Sequence, residues 1–576
     1  MIDDNKNAAN GNGGNDSPNN ETTQLPSADS SGGSNPPDEL LLQFQREKST
    51  LNDIVRTITN DFIEKYRTAH IVPRITERML IALINDEIGL ANCFREKTER
   101  LKKIQVLPDT VIADLLVHLD GIVNIILTSE DRKDSYLFGG YVDSGDDRGI
   151  YRTDEDFLDT KISSYNYSAD DTNYRRIRSL LKSRAPRVHV CRDRDLIPVN
   201  NGIFNYRTKV LMPFDPKYIF TTKCRVDYIV GAQSPNIYNP NDGTYWNVDD
   251  WIEEIADDAE IAQLIWELLG ACVRPNVKWD KAAFMMSSAG CNGKGTLCVL
   301  MRALVGKSNC VSLQLSDYGK DFLLEPLIRA SAIITDENDV GGFIEKGLGN
   351  IKATVTQDEI MVNRKFKIPI MLEFHGMTIQ CLNDLPRIKD KSESFFRRQL
   401  YIPFSKSFTG QERKYIKEYY VTRKEVLEYV LNKVLNTNYY VLSEPDSCKF
   451  AKEEYKEFND PIRQFVNDIL PQCKWKLLPY DFLYDLYKAW KKEKNPSGSI
   501  EGYKNFNASL RSVLVEKGGW SMPNYAVSSK GKMDDFEPLI YRYQLSNWYN
   551  PYYHGNDPDK ISLPALKSSY RGITRN

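Results

Sequence analysis

The reading of the fold turns on Ser288-Ala289-Gly290-Cys291-Asn292-Gly293-Lys294-Gly295-Thr296, residues 288–296 of a 576-residue chain. The apolar run Ala282–Met286 precedes it and residues 297–304 follow with a helical period. Strand, glycine loop and helix form the context of a phosphate-binding loop. Glycines let successive backbone N–H groups turn inward, and the helix N-terminus adds partial positive charge. Gly290, Cys291, Asn292, Gly293, Lys294, Gly295 and Thr296 are the candidate nucleotide-binding residues, with Lys294 reaching the β- and γ-phosphates of ATP. Two positions depart from the strict pattern G-x-x-x-x-G-K-[ST]. Ser288 replaces the first glycine, and Gly295 stands where a hydroxyl residue would ligate Mg²⁺. The hydroxyl must then come from Thr296, or a water takes its place.

Further motifs follow in order. Ala332–Thr335 is a β-type run ending in Asp336-Glu337, two carboxylates at the end of a buried strand, where α/β sheets bind ligands. Asp336 would hold Mg²⁺ through water and Glu337 would polarise the attacking water. An acidic pair after an apolar run also serves as a helix cap. Met377–Leu382 reads as a strand ending at Asn383, whose amide could touch both the γ-phosphate and the lytic water; an Asx turn before Pro386 is the plainer reading. Arg397 and Arg398 precede another β run, 400–404, and either could reach a neighbouring subunit's ATP as an arginine finger. A surface pair making weak salt bridges is the alternative.

Together these motifs resemble those of superfamily 3 helicases, and more narrowly the phage and plasmid primase-helicase branch. The stretches GCNGKGT (290–296), AIITDEND (332–339), LNDLPRIKD (382–390) and FFRRQLYIPF (395–404) carry the likeness. VNNGIFNYRTKVLMPFDPKYIFTT (199–222) is similar to the domain that precedes the motor in that family, and FLYDLYKAWKKEKN (482–495) to its C-terminal winged helix. The resemblance covers about residues 170–525 and implies a hexameric ring of AAA+ type. It also implies a pore hairpin between the Asp-Glu and Asn strands. Arg364, Lys365, Phe366 and Lys367 form a basic, aromatic tip there, suited to sequence-independent grip on single-stranded DNA. The first 170 residues show no primase-polymerase pattern, so primer synthesis would fall to a separate primase or other replication protein.

The flanks fill in the organisation. Residues 1–38, rich in Asn, Gly, Ser, Asp and Pro, cannot bury enough apolar surface to fold and are expected to be a disordered leader. Residues 39–172 read as a helical region followed by loop from 129. A compact α+β domain at 173–275 opens with a basic segment, 175–194, that would bind duplex DNA or simply face solvent beside acidic neighbours. The α/β P-loop ATPase core spans 276–440, a winged-helix-like domain 455–525, and a tail of unassigned structure 526–576. In the winged helix, 505–515 with Lys504 and Arg511 could read DNA or contact protein.

Composition narrows the class. Hydrophobic residues make up 41% and charged residues 27%, ordinary for globular protein, and the formal charge of −3 confines any nucleic-acid affinity to local patches. Ten cysteines without a C-x-x-C pair argue against a structural zinc site and for reduced, packed thiols. No secretory signal or membrane-spanning run is visible, so the expected location is cytoplasmic. The expectation is therefore an ATP- and Mg²⁺-dependent replicative helicase of a phage, plasmid or other mobile element. Two rivals share parts of the pattern: an AAA+ loader or remodeller that does not unwind, and a winged-helix origin-binding factor with a decayed loop.

Overall fold

The computed structural model describes residues 36–68, 73–132, 135–287, 290–338, 343–344, 346–383, 386–388, 390–495 and 499–575. Residues 1–35 of the expected leader, Ser288 and Ala289 at the head of the loop, and Asp384 and Leu385 after Asn383 lie outside them. The chain divides into two units, residues 1–111 and 112–576.

In the first unit the helices Pro36–Lys48, Leu51–Tyr66 and Pro73–Asn92 match the helical periodicity. Thr50 and Asp53 form a reciprocal capping box that starts the second helix. Asn85 and Asn92, two turns apart on the third, each exchange a pair of hydrogen bonds with the extended segment at Ile104 and Leu101. Such side-chain pairing satisfies backbone groups that no strand partner reaches.

The second unit opens with a four-stranded sheet of Tyr151–Arg152, Tyr136–Tyr141, Val123–Ile126 and Arg187–His189, in that order. Residues 129–172 were expected to loop, yet they supply two of these strands and the helix Glu155–Tyr165. The reason is packing. A Cβ at Gly139 would strike Ile125 at 2.4 Å and one at Gly140 would strike Phe157 at 2.7 Å. The Gly-Gly pair marks close approach inside a strand and not a turn. Along the basic helix Asp171–Arg184 and its exit, Arg178 pairs with Asp159, Arg184 with Asp114 and Arg187 with Asp131. Leu196–Val199, Gly202–Asn205 and Val210–Met212 form an antiparallel three-stranded sheet within the α+β region.

The centre is a five-stranded, all-parallel sheet in the order Cys310–Val311, Ala332–Thr335, Met377–Leu382, Ala282–Met286, Gln399–Pro403. Both faces are buried, as parallel sheets require. Met285, Ile334, Ile379 and Ile402 join one core, while Phe284, Ile333, Leu382 and Tyr401 join the other, the alternation expected of period two. Under the loop helix, the buried thiols of Cys298 and Cys381 stand 3.4 Å apart. Between the acidic and asparagine strands, Glu359–Arg364 pairs antiparallel with Lys367–Glu373 as a hairpin.

A third core lies toward the C-terminus. The helices Pro461–Ile469, Tyr480–Lys494 and Tyr503–Lys517 surround Trp475, Phe482 and Phe506. Leu477–Pro479 and Trp520–Ser521 both pair with Gly572–Arg575, so the tail returns to complete a three-stranded antiparallel sheet. Among the described residues no helix is long and apolar enough to cross a membrane.

Candidate functional site

Strand order assembles the site. The asparagine strand is inserted between the loop strand and the acidic strand, although it follows both in sequence. Met286 pairs with Leu382 and Thr335 with Gln380, so the loop, Asn383 and Asp336-Glu337 all leave the sheet at its C-terminal edge. Ligands of open parallel sheets bind outside this edge.

Gly293 caps the helix Lys294–Val305 in the left-handed region, at φ 86°, where a side chain would be strained. A Cβ there would also meet Ile255 Cγ2 at 2.8 Å, so the helix Val248–Ile255 presses directly on the loop. Cys291 likewise has a positive φ of 53°. Gly293 itself has no side chain to cap the helix, the Lys294 N–H donates to Asn292 Oδ1 at 3.3 Å, and the helix N-terminus opens at the loop. These features fit an anion at the helix start.

Lys294 is 4% exposed and its ammonium donates to the Leu382 carbonyl at 3.1 Å and to Asn383 Oδ1 at 3.2 Å. Burial pulls its pKa below the ordinary lysine value. Two predicted residues, one from each of two motifs, are thus in direct contact. Asp336 and Glu337 are exposed at the end of their strand. Asp336 accepts a forked pair of bonds from Arg302 at 2.8 and 3.2 Å, and Arg302 also holds the Ile334 carbonyl. That guanidinium keeps the Asp336 carboxyl below the usual carboxylate range. Thr296 stands in the first helical turn, half-buried beside the loop.

Beside the loop lies a cavity of about 340 Å³. Trp251, Ile255, Phe408 and Ile416 line it together with Cys291, Asn292, Gly293, Gly295 and Thr296 of the loop. The segment 405–417 is stitched in place. Phe408 N donates to the Cys291 carbonyl at 2.8 Å, Ser405 bonds Asp257, and Arg413 pairs with Glu254. An apolar cleft with polar edges beside a phosphate loop suits a planar base.

Asn338, one residue beyond the acidic pair, donates to Gln380 Oε1 and to the Cys381 carbonyl, both at 3.0 Å. It pins the acidic loop to the asparagine strand. Sequence reasoning missed Arg302, Asn338, Trp251 and segment 405–417. Only Asn338 carried a local signal, as a polar residue beside a recognised motif.

The two candidate finger arginines differ. Arg398 is half-buried and donates to Ser394 Oγ at 2.8 Å, whereas Arg397 is exposed. The hairpin tip divides as well. Arg364 turns back onto the Ile368 carbonyl and Lys367 pairs with Glu155. Lys365 and Phe366 project, Phe366 at 95% exposure and φ 59°.

Three family models match parts of the chain: a family of unknown function (DUF5906) at residues 285–398, a "D5 N terminal like" model at 146–261, and a "Poxvirus D5 protein-like" model at 457–541. The first runs from the loop strand to Arg398 and so takes in the loop, the acidic pair and Asn383. A curated protein of Acanthamoeba polyphaga mimivirus, named "Putative helicase L207/L206", is 23% identical over 229 residues. The match takes in 37% of this chain and 22% of that protein, so the chain spans about a fifth of its relative's length. Solved apo structures of the NrS-1 C-terminal region align over 70% of this chain and 85% of theirs at 14% identity, and over 71% and 89% at 12%. Their TM-score of 0.37 is too low to carry an argument. Together, the two D5-like matches and the helicase-named relative support a relationship to the D5-type superfamily 3 helicases.

Proposed function

We propose that this chain is an ATP-driven DNA helicase of a virus, phage, plasmid or other mobile element. The observation that carries the reading is the strand order: Lys294, Asn383 and the Asp336-Glu337 pair meet at one sheet edge although nearly ninety residues separate the first from the second. An AAA+ type motor is the architecture this order supports.

In this reading the loop N–H groups and Lys294 bind the phosphates of ATP, and the cavity walled by Trp251 and Phe408 takes the base. Thr296 and Asp336 are the residues that would hold Mg²⁺. Bound there, the metal neutralises charge on the phosphate oxygens. Glu337 orients a water and draws off its proton as the oxygen attacks the γ-phosphorus. The bond to the β,γ-bridging oxygen breaks, and ADP and phosphate leave. Asn383 holds the water and the γ-phosphate oxygens in line, since its amide can both donate and accept. Arg397 serves a neighbouring copy in a hexameric ring, because its guanidinium is the more accessible of the pair.

The hairpin tip, with Lys365 and Phe366, would grip single-stranded DNA by charge and stacking. The C-terminal three-helix, three-strand unit is proposed as a winged helix with a long excursion between its second and third strands. It would contact duplex DNA or a partner protein such as a separate primase.

ATP hydrolysis measured with and without single-stranded DNA tests the reading. Hydrolysis that rises with DNA and vanishes in Lys294→Ala is expected. Hydrolysis indifferent to DNA would favour a loader or remodeller, and no hydrolysis at all would favour an origin-binding factor.

A further inference from the structure

Gly295 leaves the loop without a side chain where the strict pattern has a hydroxyl, and the fold brings another group to that place. A Cβ at 295 would lie 3.5 Å from Nζ of Lys417, an ordinary van der Waals separation. Lys417 comes from the short π-helical turn Ile416–Tyr420, a rare irregularity that is frequent at functional sites. Its backbone is fixed by buried Ile416 and by the segment's bonds to the loop and to Glu254. Among the described residues its ammonium has no hydrogen-bond or ion-pair partner, yet it lies within the field of Asp336. The exposed ammonium of Lys417 thus stands beside Gly295, at the rim of the cavity that the loop floors.

We propose that Lys417 is a second phosphate-binding cation of this site, acting in cis on the β- and γ-phosphate oxygens of a nucleoside di- or triphosphate. The proposal rests on the nucleotide reading of the loop. A compact ammonium with three donors suits phosphate oxygens whose positions shift between ATP and ADP. It also accounts for the glycine. A serine or threonine at 295 would place its hydroxyl within hydrogen-bond reach of the ammonium and compete with phosphate for it. Part of the charge neutralisation usually left to a hydroxyl-held metal then comes from the protein. Diphosphate binding in this chain is consequently less dependent on Mg²⁺ than in a loop with the strict pattern.

The test is equilibrium binding of ADP and of adenosine to the full chain, in EDTA and in Mg²⁺. Wild type is compared with Lys417→Met, Lys417→Arg, Lys294→Met and the double variant Gly295→Ser/Lys417→Met. Lys417→Met should weaken ADP in EDTA about ten- to a hundredfold, the value of one charge-assisted hydrogen bond, and leave adenosine unchanged. Lys417→Arg should restore most of the loss. The double variant should regain ADP affinity only with Mg²⁺. If Lys417→Met keeps its ADP affinity in EDTA while Lys294→Met loses it, the role of Lys417 is wrong and the loop reading stands. Equal loss of ADP and adenosine would place Lys417 against the base and overturn the proposal. Unchanged ADP affinity in Lys294→Met would overturn the nucleotide reading itself.

Discussion

Lys294 is buried, and its ammonium is held by a carbonyl and an amide oxygen at the tip of the neighbouring strand. Lys294→Met, which keeps the apolar stem, should lower ATP hydrolysis more than about a hundredfold, while the thermal midpoint shifts little. A large drop in both would mean that the lysine is structural. Asp336 offers a pH test. The Arg302 guanidinium lowers its pKa, so the pair's contribution is fully present above the unfolded carboxylate value of about 3.9 and is lost as pH falls through the lower folded value. In Arg302→Met the acid limb of the pH–rate profile should therefore move to higher pH. An unmoved limb would show that Asp336 does not govern it. For the arginine pair, Arg397→Ala should abolish hydrolysis by about a thousandfold and be rescued in part by mixing with Lys294→Met subunits, since each supplies what the other lacks. Arg398→Ala should behave as a local packing loss. Asp336 and Asn383 were legible in the sequence because each sits at the end of a recognisable apolar run, and Lys294 because a glycine-rich loop after such a run leads into it. Lys417 and Trp251 were not, because nothing local announces that segments about forty residues before the loop and more than a hundred after it close over it.

The hairpin Glu359–Arg364/Lys367–Glu373 was readable as an element from its two β runs and basic tip. The sequence could not rank the four tip residues. Side-chain partners do: Arg364 and Lys367 are engaged within the protein, leaving Lys365 and Phe366 to meet DNA. Phe366→Ala should cost about 1–3 kcal/mol in single-strand affinity, a stacked base's worth, independent of salt. Lys365→Ala should reduce the slope of log affinity against log salt by about 0.7, the value for one phosphate contact on single strands. Fluorescence anisotropy over a salt series separates the two effects, and an unaltered affinity in both variants would remove the hairpin from the DNA path. The strand Tyr136–Tyr141 shows the opposite failure of reading. Its Gly139-Gly140 pair carries the local signature of a turn, and only the packing of Ile125 and Phe157 reveals a strand.

Connectivity at the scale of the whole chain was the least legible feature. The β runs and helices predicted an α/β core, but no periodicity states that the asparagine strand inserts between the loop and acidic strands. The same holds for the tail, where a strand at Gly572–Arg575 pairs with partners some fifty and ninety residues earlier. Ile573 is fully buried in that core, so Ile573→Ala should destabilise the C-terminal unit by about 2–5 kcal/mol in urea unfolding while sparing ATP hydrolysis by the motor. The central claim is that one nucleotide site, assembled by strand order around Lys294, Asn383 and Asp336, drives strand separation. Unwinding of a forked DNA duplex by the full chain with ATP and Mg²⁺ tests it most directly. Strand displacement by the wild type and none by Lys294→Met is the predicted result; displacement that survives Lys294→Met would contradict it.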